Sequence, residues 1–489
     1  MTDLANRVDG VMRRSRAAFE TYRTLTGKKR AEFLDAIAAA IEADSALIVS
    51  AAMKETNLPE PRLAGERART CNQLRQFSAM LREGSWVEAR IDTALPDRQP
   101  LPKPDIRKML VPIGPVVVFG ASNFPMAYST AGVDTASALA AGCSVVLKGH
   151  PAHPETSRMV AALISKAATA TGLPADVFIH VEEPGFEIGK ALVQHPLTKA
   201  VGFTGSFSGG KALYDYAQQR SEPIPVFSEM GSINPVFLLS GALTARPTQI
   251  ADQYAASITQ SVGQFCTNPG LLLSVKGSEL EVFKKELAAR MQQIAPAPML
   301  HEGISKSFYS KRSEALKQKG VHLIVQASEA QPEGQGVPTL ASVSGKDFLA
   351  NPHLSEEVFG PYSLLVEADN LQELLQIAAQ LPGQLTSTLI GEDSDLQGSA
   401  ALIHVLSDKA GRLIINGVPT GVEVCPSMHH GGPFPATTDS RFSSVGIDAV
   451  KRFVRPLSYH AFPEDLLPEE LKSSNPLGIW RLYNNEWCK

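Results

Sequence analysis

Cysteine is scarce in this chain of 489 residues: there are five, Cys71, Cys143, Cys266, Cys425 and Cys488. An odd number, widely spread and without a C-x-x-C pair, fits neither a disulfide framework nor a zinc site, so reduced thiols and no bound metal are expected. Long apolar runs are missing, and with them any segment that could span a bilayer. The opening stretch "MTDLANRVDGVMRRSRAAFE" reads as a helix with interleaved charges and lacks the apolar centre of a secretory signal, which makes a cytoplasmic protein the expectation. No charge of one sign dominates: 46 Lys and Arg against 50 Asp and Glu leave a net charge of -4. The basic residues are scattered, so no nucleic-acid footprint is expected. What remains is ordinary for a soluble globular protein, with 44% hydrophobic and 20% charged residues. The length predicts two or three domains.

Residues 12–85 carry apolar positions at three- and four-residue spacing, as in "KKRAEFLDAIAAAIEADSALIVSAAMKET", and read as a helical lead-in. The prolines of "DTALPDRQPLPKPDIRKMLVPIG" forbid a central strand but allow an edge hairpin or connector. From residue 112, short β-branched runs alternate with Ala-rich helical stretches: "GPVVVFGAS", "CSVVLKG", "DVFIHV" and "KAVGFTGS" each precede a helix pattern. Continuous apolar strands followed by helices predict a doubly wound α/β domain with a parallel sheet covered on both faces. A second α/β series runs from "PVFLL" to "RLIINGV". The Pro-rich, patchily apolar tail from residue 455 predicts packing against a neighbour, hence an oligomer.

Several residues stand where chemistry is possible. In "VGFTGSFSGGKALYDYA", Gly205 would let a ligand approach the backbone, Ser206 offers a hydroxyl, and the following helix presents its positive end to an anion. The alternative is that these glycines serve turn geometry alone. Lys148 ends the strand of "SVVLKGHPAHPE"; it is either a surface lysine or one that points into the crevice at the carboxyl edge of the sheet. Glu229, in "PVFSEMGSINPVFLL", sits between apolar segments. Burial there would raise its pKa and make it a better general base, unless it is a structural acid held by backbone amides. Asn123 in "GASNFPMAYS" reads as a helix N-cap or as a donor to a developing oxyanion. In "SEEVFGPYS" a carboxylate can accept from a ribose diol while Phe359 flanks a planar ring. Cys266, in "GQFCTNPG", can be a nucleophile or a packed apolar residue.

In this order, "NFP" at Asn123, "LKG" at Lys148, "GFTGS" with Gly210, "EMG" at Glu229, "GQFCT" at Cys266 and "EEVFGP" at 356–361 resemble the aldehyde dehydrogenase superfamily across nearly the whole chain. The resemblance implies a cofactor-binding domain (1–89 and 114–229), a catalytic domain (230–453) and an oligomerisation region (90–113 and 454–489) that builds a homodimer or homotetramer. It implies Cys266 as nucleophile, Glu229 as general base and Asn123, with the Cys266 N–H, as oxyanion donor. Lys148, Ser206 and Glu357 would hold adenosine ribose, pyrophosphate and nicotinamide ribose, with Gly205 and Gly210 in the phosphate turn and Phe359 against the nicotinamide. A thiol suits this role because its reference pKa of about 8.5 leaves it appreciably ionised near neutrality.

"NLPEPRLAGERARTCNQLRQF", "GHPAHPETS", "CTNPG" and "HHGGPFPATTDSRFSSVG" further resemble the α-ketoglutaric semialdehyde (2,5-dioxopentanoate) dehydrogenase branch, which implies oxidation of that aldehyde. Succinate semialdehyde or an aliphatic aldehyde is the alternative substrate, and a cysteine hydrolase or acyltransferase without redox cofactor is the alternative class. Many NAD-preferring relatives carry a glutamate three residues after the lysine; Pro151 stands there instead. NADP or NAD is therefore expected, NADP being favoured, with Lys148 and His150 near a 2′-phosphate. His429 and His430 precede a Gly-Gly pair and read as exposed or bonded to backbone, or as tuning Cys266. Arg69, Arg75 and Arg441 are candidates to meet a substrate carboxylate, against surface ion pairs as the alternative.

Overall fold

The computed structural model describes residues 3–330 and 332–489. Met1 and Thr2, part of the expected first helix, lie outside these. Four helices open the chain, Asp3–Tyr22, Gly27–Ala43, Ser45–Thr56 and Glu60–Glu83. The Thr26 side chain accepts from the Lys29 N–H and starts the second of them. The helical lead-in expected from the apolar spacing is present, and within it the chain breaks at Asp44 with a 72° bend. Leu34, Ile37, Ile48 and Ala52 can thus all face one core rather than spiral away from it. Among the described residues, no single helix is long and apolar enough to cross a membrane.

The first sheet contains β1 (Val116–Phe119), β2 (Val145–Lys148), β3 (Phe178–Val181), β4 (Ala200–Thr204) and β5 (Val226–Glu229). Its order is β3-β2-β1-β4-β5 and every pair is parallel. Helices such as Val133–Ala141 and Pro154–Ala170 make the crossovers. Because β2 and β4 leave β1 on opposite sides, a crevice opens beyond the carboxyl ends of the strands. Lys148, Thr204 and Glu229 are the last residues of their strands. The doubly wound α/β expectation is met.

The second sheet has seven strands: β6 (Val236–Leu238), β7 (Leu271–Val275), β8 (His322–Gln326), β9 (Thr339–Ser344), β10 (Tyr362–Ala368), β11 (Gln384–Ile390) and β12 (Ala410–Ile415). In the order β8-β9-β10-β7-β6-β11-β12 only β8 runs antiparallel to its neighbour. Its core of Phe237, Leu273, Leu364 and Val366 is separate from that of the first sheet. The segment after β12 returns to the first unit: the Met230 N–H donates to Ala436 O at 2.8 Å and the Thr438 N–H to Ser228 O at 3.1 Å. Val445, Ala449 and Phe453 sink into the helical core. Arg452 locks the return with an ion pair to Asp134 at 2.6 Å, both groups buried.

A third sheet is built from distant segments. Val454–His460 pairs antiparallel with Ile106–Pro112, which pairs with Arg90–Asp92, followed by Arg481–Tyr483 and Glu486–Cys488. Pro456 is tolerated because its strand lies at the edge. Within the tail, Leu467, Leu471 and Ile479 pack against Val87, Ile91 and Met109 of the same chain, while Leu466, Trp480 and Trp487 stay exposed. Its buried apolar residues are consumed internally.

Candidate active site

Cys266 follows the helix Pro247–Thr259 on a contorted loop. Ser261, Val262 and Gly263 are all left-handed, with φ of 47°, 57° and 65°. For a β-branched residue such as Val262 this costs about 1–3 kcal/mol, which surrounding bonds must offset. They are present: the Gln264 side chain donates to Ser261 O at 3.0 Å and accepts from the Leu300 N–H at 2.9 Å. Asn234 Nδ2 donates to the carbonyls of Cys266 at 2.8 Å and Asn268 at 2.9 Å, and Asn268 Nδ2 donates to Gly360 O at 3.2 Å. Gly263 is required because a Cβ there would lie 2.3 Å from the Gly360 carbonyl carbon. The loop carrying the thiol is thereby pinned to the loop carrying Glu357 and Phe359. A cavity between them is lined by Ser232, Gly263, Asn268, Glu357 and Phe359.

Glu229, at the end of β5, reaches the thiol from the first sheet and is 3% exposed. Ser444 Oγ donates to its Oε2. Its Oε1 lies 3.0 Å from His430 Nε2, close enough for an ion pair but out of line for a hydrogen bond. His430 Nε2 is 3.6 Å from Cys266 Sγ. All three reactive atoms fall within 4.8 Å of one another. His430 is 1% exposed, with its backbone N–H donating to Ser443 Oγ at 3.0 Å. The expectation of an exposed or merely backbone-bonded histidine therefore fails for His430, because the return segment turns the residue inward. His429, half-buried, has its ring against Gly411 and Gly431.

Charge in this cluster runs opposite to two expectations. Burial alone would push the Glu229 carboxyl up, but His430, Ser444 and Cys266 together stabilise the anion and leave it below its ordinary value. Burial and the Glu229 charge push the Cys266 thiol well up, with Arg69 opposing them. The nucleophile rests as a thiol, and its proton must be removed by its neighbours. Asn123 sits in a turn region well before the helix that begins at Val133, so it is no N-cap. Its Nδ2 donates to Gln264 O at 3.3 Å, and the second N–H of that amide has no partner in the described residues.

Two arginines act on the thiol electrostatically. Arg69, from helix Glu60–Glu83, donates to Tyr128 Oη at 3.1 Å and lies over the Phe124 and Tyr128 rings. Arg412, from β12, donates to the carbonyls of Pro419 and Gly421. Each acts electrostatically on both Tyr128 and Cys266, and neither is ion-paired to a carboxylate among the described residues. Arg62 adds a third charge over Phe124 and Phe265, but Glu66 pairs with it at 3.0 Å. Of the arginines singled out in sequence, Arg75 and Arg441 form surface pairs with Glu42 and Asp439. Arg412 carried no sequence signal at all.

A thiol, a carboxylate and an amide converge beside the crevice of a doubly wound sheet, and the aldehyde dehydrogenase family model matches residues 3–433. The chain belongs to the aldehyde dehydrogenase family. It is an aldehyde-oxidising oxidoreductase. The enzyme is 49% identical over 468 residues to alpha-ketoglutaric semialdehyde dehydrogenase 2 of Azospirillum brasilense, covering 96% of this chain and 89% of that one. It is 45% identical over 478 residues to alpha-ketoglutaric semialdehyde dehydrogenase of Acinetobacter baylyi, covering 98% and 90%. A solved betaine aldehyde dehydrogenase from Staphylococcus aureus, in complex with NAD+, superposes with a TM-score of 0.79 at 19% identity, covering 93% of this chain and 89% of that one. At that identity the likeness speaks for the fold alone.

Enzymes of this family use NAD or NADP, and the crevice of this enzyme fits such a group. Lys148 is 9% exposed and has no hydrogen-bond or ion partner among the described residues, an expensive state for a buried ammonium unless an anion arrives. Ser206 caps the helix Phe207–Gln218 by accepting from the Gly209 N–H at 3.2 Å, and Gly205 precedes it at the strand end. Gly210 is buried, and a Cβ there would meet Met230 Cγ at 2.7 Å and Ser228 Cβ at 3.1 Å, so its lack of a side chain lets the helix pack closely. His150 offers no positive charge. Burial, with His153, His301 and Lys148 nearby, lowers its pKa to about 3, and its Nδ1 accepts from the Ala152 N–H at 3.1 Å. Glu357 is raised by burial to about 7. Gly231 gives it room, since a Cβ there would lie 2.5 Å from Oε2.

Proposed function

We propose that the enzyme oxidises 2,5-dioxopentanoate to 2-oxoglutarate through a thioester on Cys266. The proximity of Cys266, His430 and Glu229 supports the first step, in which the thiol proton passes to the carboxylate. The thiolate adds to the aldehyde carbon, and the Asn123 amide and the Cys266 N–H donate to the oxyanion of the thiohemiacetal. A nicotinamide cofactor held by Lys148, Ser206 and Glu357 would supply the acceptor for the hydride of that carbon. Glu229, once it has released that first proton to solvent, removes a proton from the water that hydrolyses the thioester, and the carboxylate product departs with the Cys266 sulfur as leaving group.

The unpaired guanidiniums of Arg69 and Arg412 carry the substrate reading, because a carboxylate on the substrate would satisfy charges that the protein leaves unpaired. Two relatives at 45–49% identity, both called alpha-ketoglutaric semialdehyde dehydrogenases, support the same class. The unpartnered Lys148 and the proline at position 151 favour NADP, since no acid repels a 2′-phosphate there. The segments 90–113 and 454–489 form the region through which a homodimer or homotetramer assembles. The test is reduced-nicotinamide formation with ω-oxo acids and with alkanals of equal length, using NAD and NADP separately. Oxo acids are expected to lead in kcat/KM, and NADP to lead NAD. Alkanals preferred over every oxo acid would overturn the substrate; activity retained by Cys266→Ala would overturn the mechanism.

A further inference from the structure

Cys266, His430 and Glu229 also have the makings of something a hydrolytic site does not need. A sulfur, an imidazole nitrogen and a carboxylate oxygen from three distant segments lie within 4.8 Å of one another. The His430 Nε2 to Cys266 Sγ separation is 3.6 Å and the Nε2 to Glu229 Oε1 separation is 3.0 Å. Zinc binds sulfur at about 2.3 Å, imidazole at about 2.0–2.1 Å and carboxylate at about 2.0–2.2 Å in tetrahedral geometry. Those lengths place ligands about 3.5 Å apart for N and S, and about 3.3 Å for N and O. The two separations from the imidazole nitrogen are thus within a few tenths of an ångström of those around zinc, and the third, from sulfur to carboxylate, is no more than 4.8 Å. A second observation points the same way: Glu229 Oε1 is buried without an aligned hydrogen-bond donor, facing the cluster, while Ser444 holds Oε2. Outer contacts of this kind orient metal ligands.

We propose that this cluster is a reversible binding site for a soft divalent cation, Zn2+ in the first instance, which silences the nucleophile. On binding, the Cys266 S–H bond breaks, its proton goes to solvent and a sulfur–zinc bond forms, while His430 Nε2 and Glu229 Oε1 replace water on the ion. Cys266 is half-buried rather than sealed, which leaves the ion a way in and a place for a fourth, water ligand. The donor set selects zinc over magnesium or calcium, which require oxygen. Once that proton has left, the thiolate and the Glu229 carboxylate, which would repel each other without the ion, become the neutralising pair of a dication. The ligated sulfur cannot attack an aldehyde, nor can the ligated carboxylate take a proton.

The full-length enzyme, freed of metal by EDTA and gel filtration, is titrated with Co2+ and separately with Zn2+. One cobalt per chain is expected, with a thiolate-to-cobalt charge-transfer band and intense tetrahedral visible bands. Zn2+ should erase the cobalt bands, inhibit aldehyde oxidation in competition with the aldehyde, and protect Cys266 from iodoacetamide, all reversed by EDTA. His430→Gln should weaken cobalt binding at least about a hundredfold, beyond the roughly 10–100-fold typical of losing an outer contact. Cys266→Ala should remove the charge-transfer band, with far-UV circular dichroism confirming that both variants fold. Cys425→Ser should leave the bands intact. The proposal fails if no charge-transfer band forms, if that band persists in Cys266→Ala or is lost in Cys425→Ser, or if the zinc midpoint is unchanged in His430→Gln. The binding readouts do not depend on which aldehyde is the substrate.

Discussion

Replacing His430 with glutamine separates the charge of the imidazole from its shape. At 3.0 Å, and with an effective dielectric of about 20, the gross attraction between a cationic ring and Glu229 is about 5 kcal/mol. Glutamine keeps a donor, and a hydrogen bond to a charged group is worth about 1.5–3 kcal/mol. The net loss to the charged form of Glu229 is then about 2–4 kcal/mol. The sign follows from the opposed influences on Glu229. Its pKa is now below the ordinary carboxyl value because His430, Ser444 and Cys266 outweigh burial; without the charge, burial prevails and the pKa rises. The wild-type carboxylate persists until acid pH, whereas the variant loses its base as pH falls through a higher value. The assay is kcat/KM for an ω-oxo acid between pH 4.5 and about 9, where the acid limb reports the free enzyme. An upward shift of that limb is expected, with activity approaching a plateau at high pH. A limb that stays within about half a unit of wild type, in a variant with unchanged thermal unfolding, would refute the reasoning.

Other consequences are as specific. Glu229→Gln removes the charge that helps hold the Cys266 thiol up, so iodoacetamide should alkylate Cys266 at lower pH while turnover falls about 10²–10⁴-fold; an alkylation profile shifted to higher pH contradicts the cause given. Arg69→Met or Arg412→Met should raise KM for oxo acids about tenfold or more, from about 1.5–3 kcal/mol of charge-assisted bonding, and leave alkanals little changed. Equal effects on both substrate types would remove these residues from carboxylate recognition. Arg452→Met strands the buried Asp134 and should cost about 3–5 kcal/mol in urea unfolding, with Asp134→Asn restoring part of it in the double variant. Gly263→Ala forces a Cβ into the Gly360 backbone and should lower activity and unfolding temperature together; wild-type behaviour would show that the two loops are not clamped there.

Sequence patterns and structure agree where information is local. The strands Val116–Phe119 and Val145–Lys148 are legible because a sheet buried on both faces demands continuous β-branched runs. Each is followed by an Ala-rich helix whose period is equally visible. The same locality leaves the break at Asp44 unmarked: the apolar spacing of the helical lead-in runs on through a 72° bend that serves a common core. Gly210 was visible as part of a turn, but whether it faced a ligand or Met230 was not.

By itself the sequence determined the two α/β series and the ordered motifs, among them the turn that carries Cys266, since each depends on neighbours within about a dozen residues. Tertiary structure alone decided that His430, 164 residues beyond the thiol, stands 3.6 Å from it. It also decided the direction of the Glu229 and Cys266 shifts, because burial and the identity of the nearest charge are properties of the assembled site. The electrostatic coupling of Arg412 to that thiol was decided in the same way. A guanidinium's partners are set by which strands stack and which segments return, and no short stretch of chain records them.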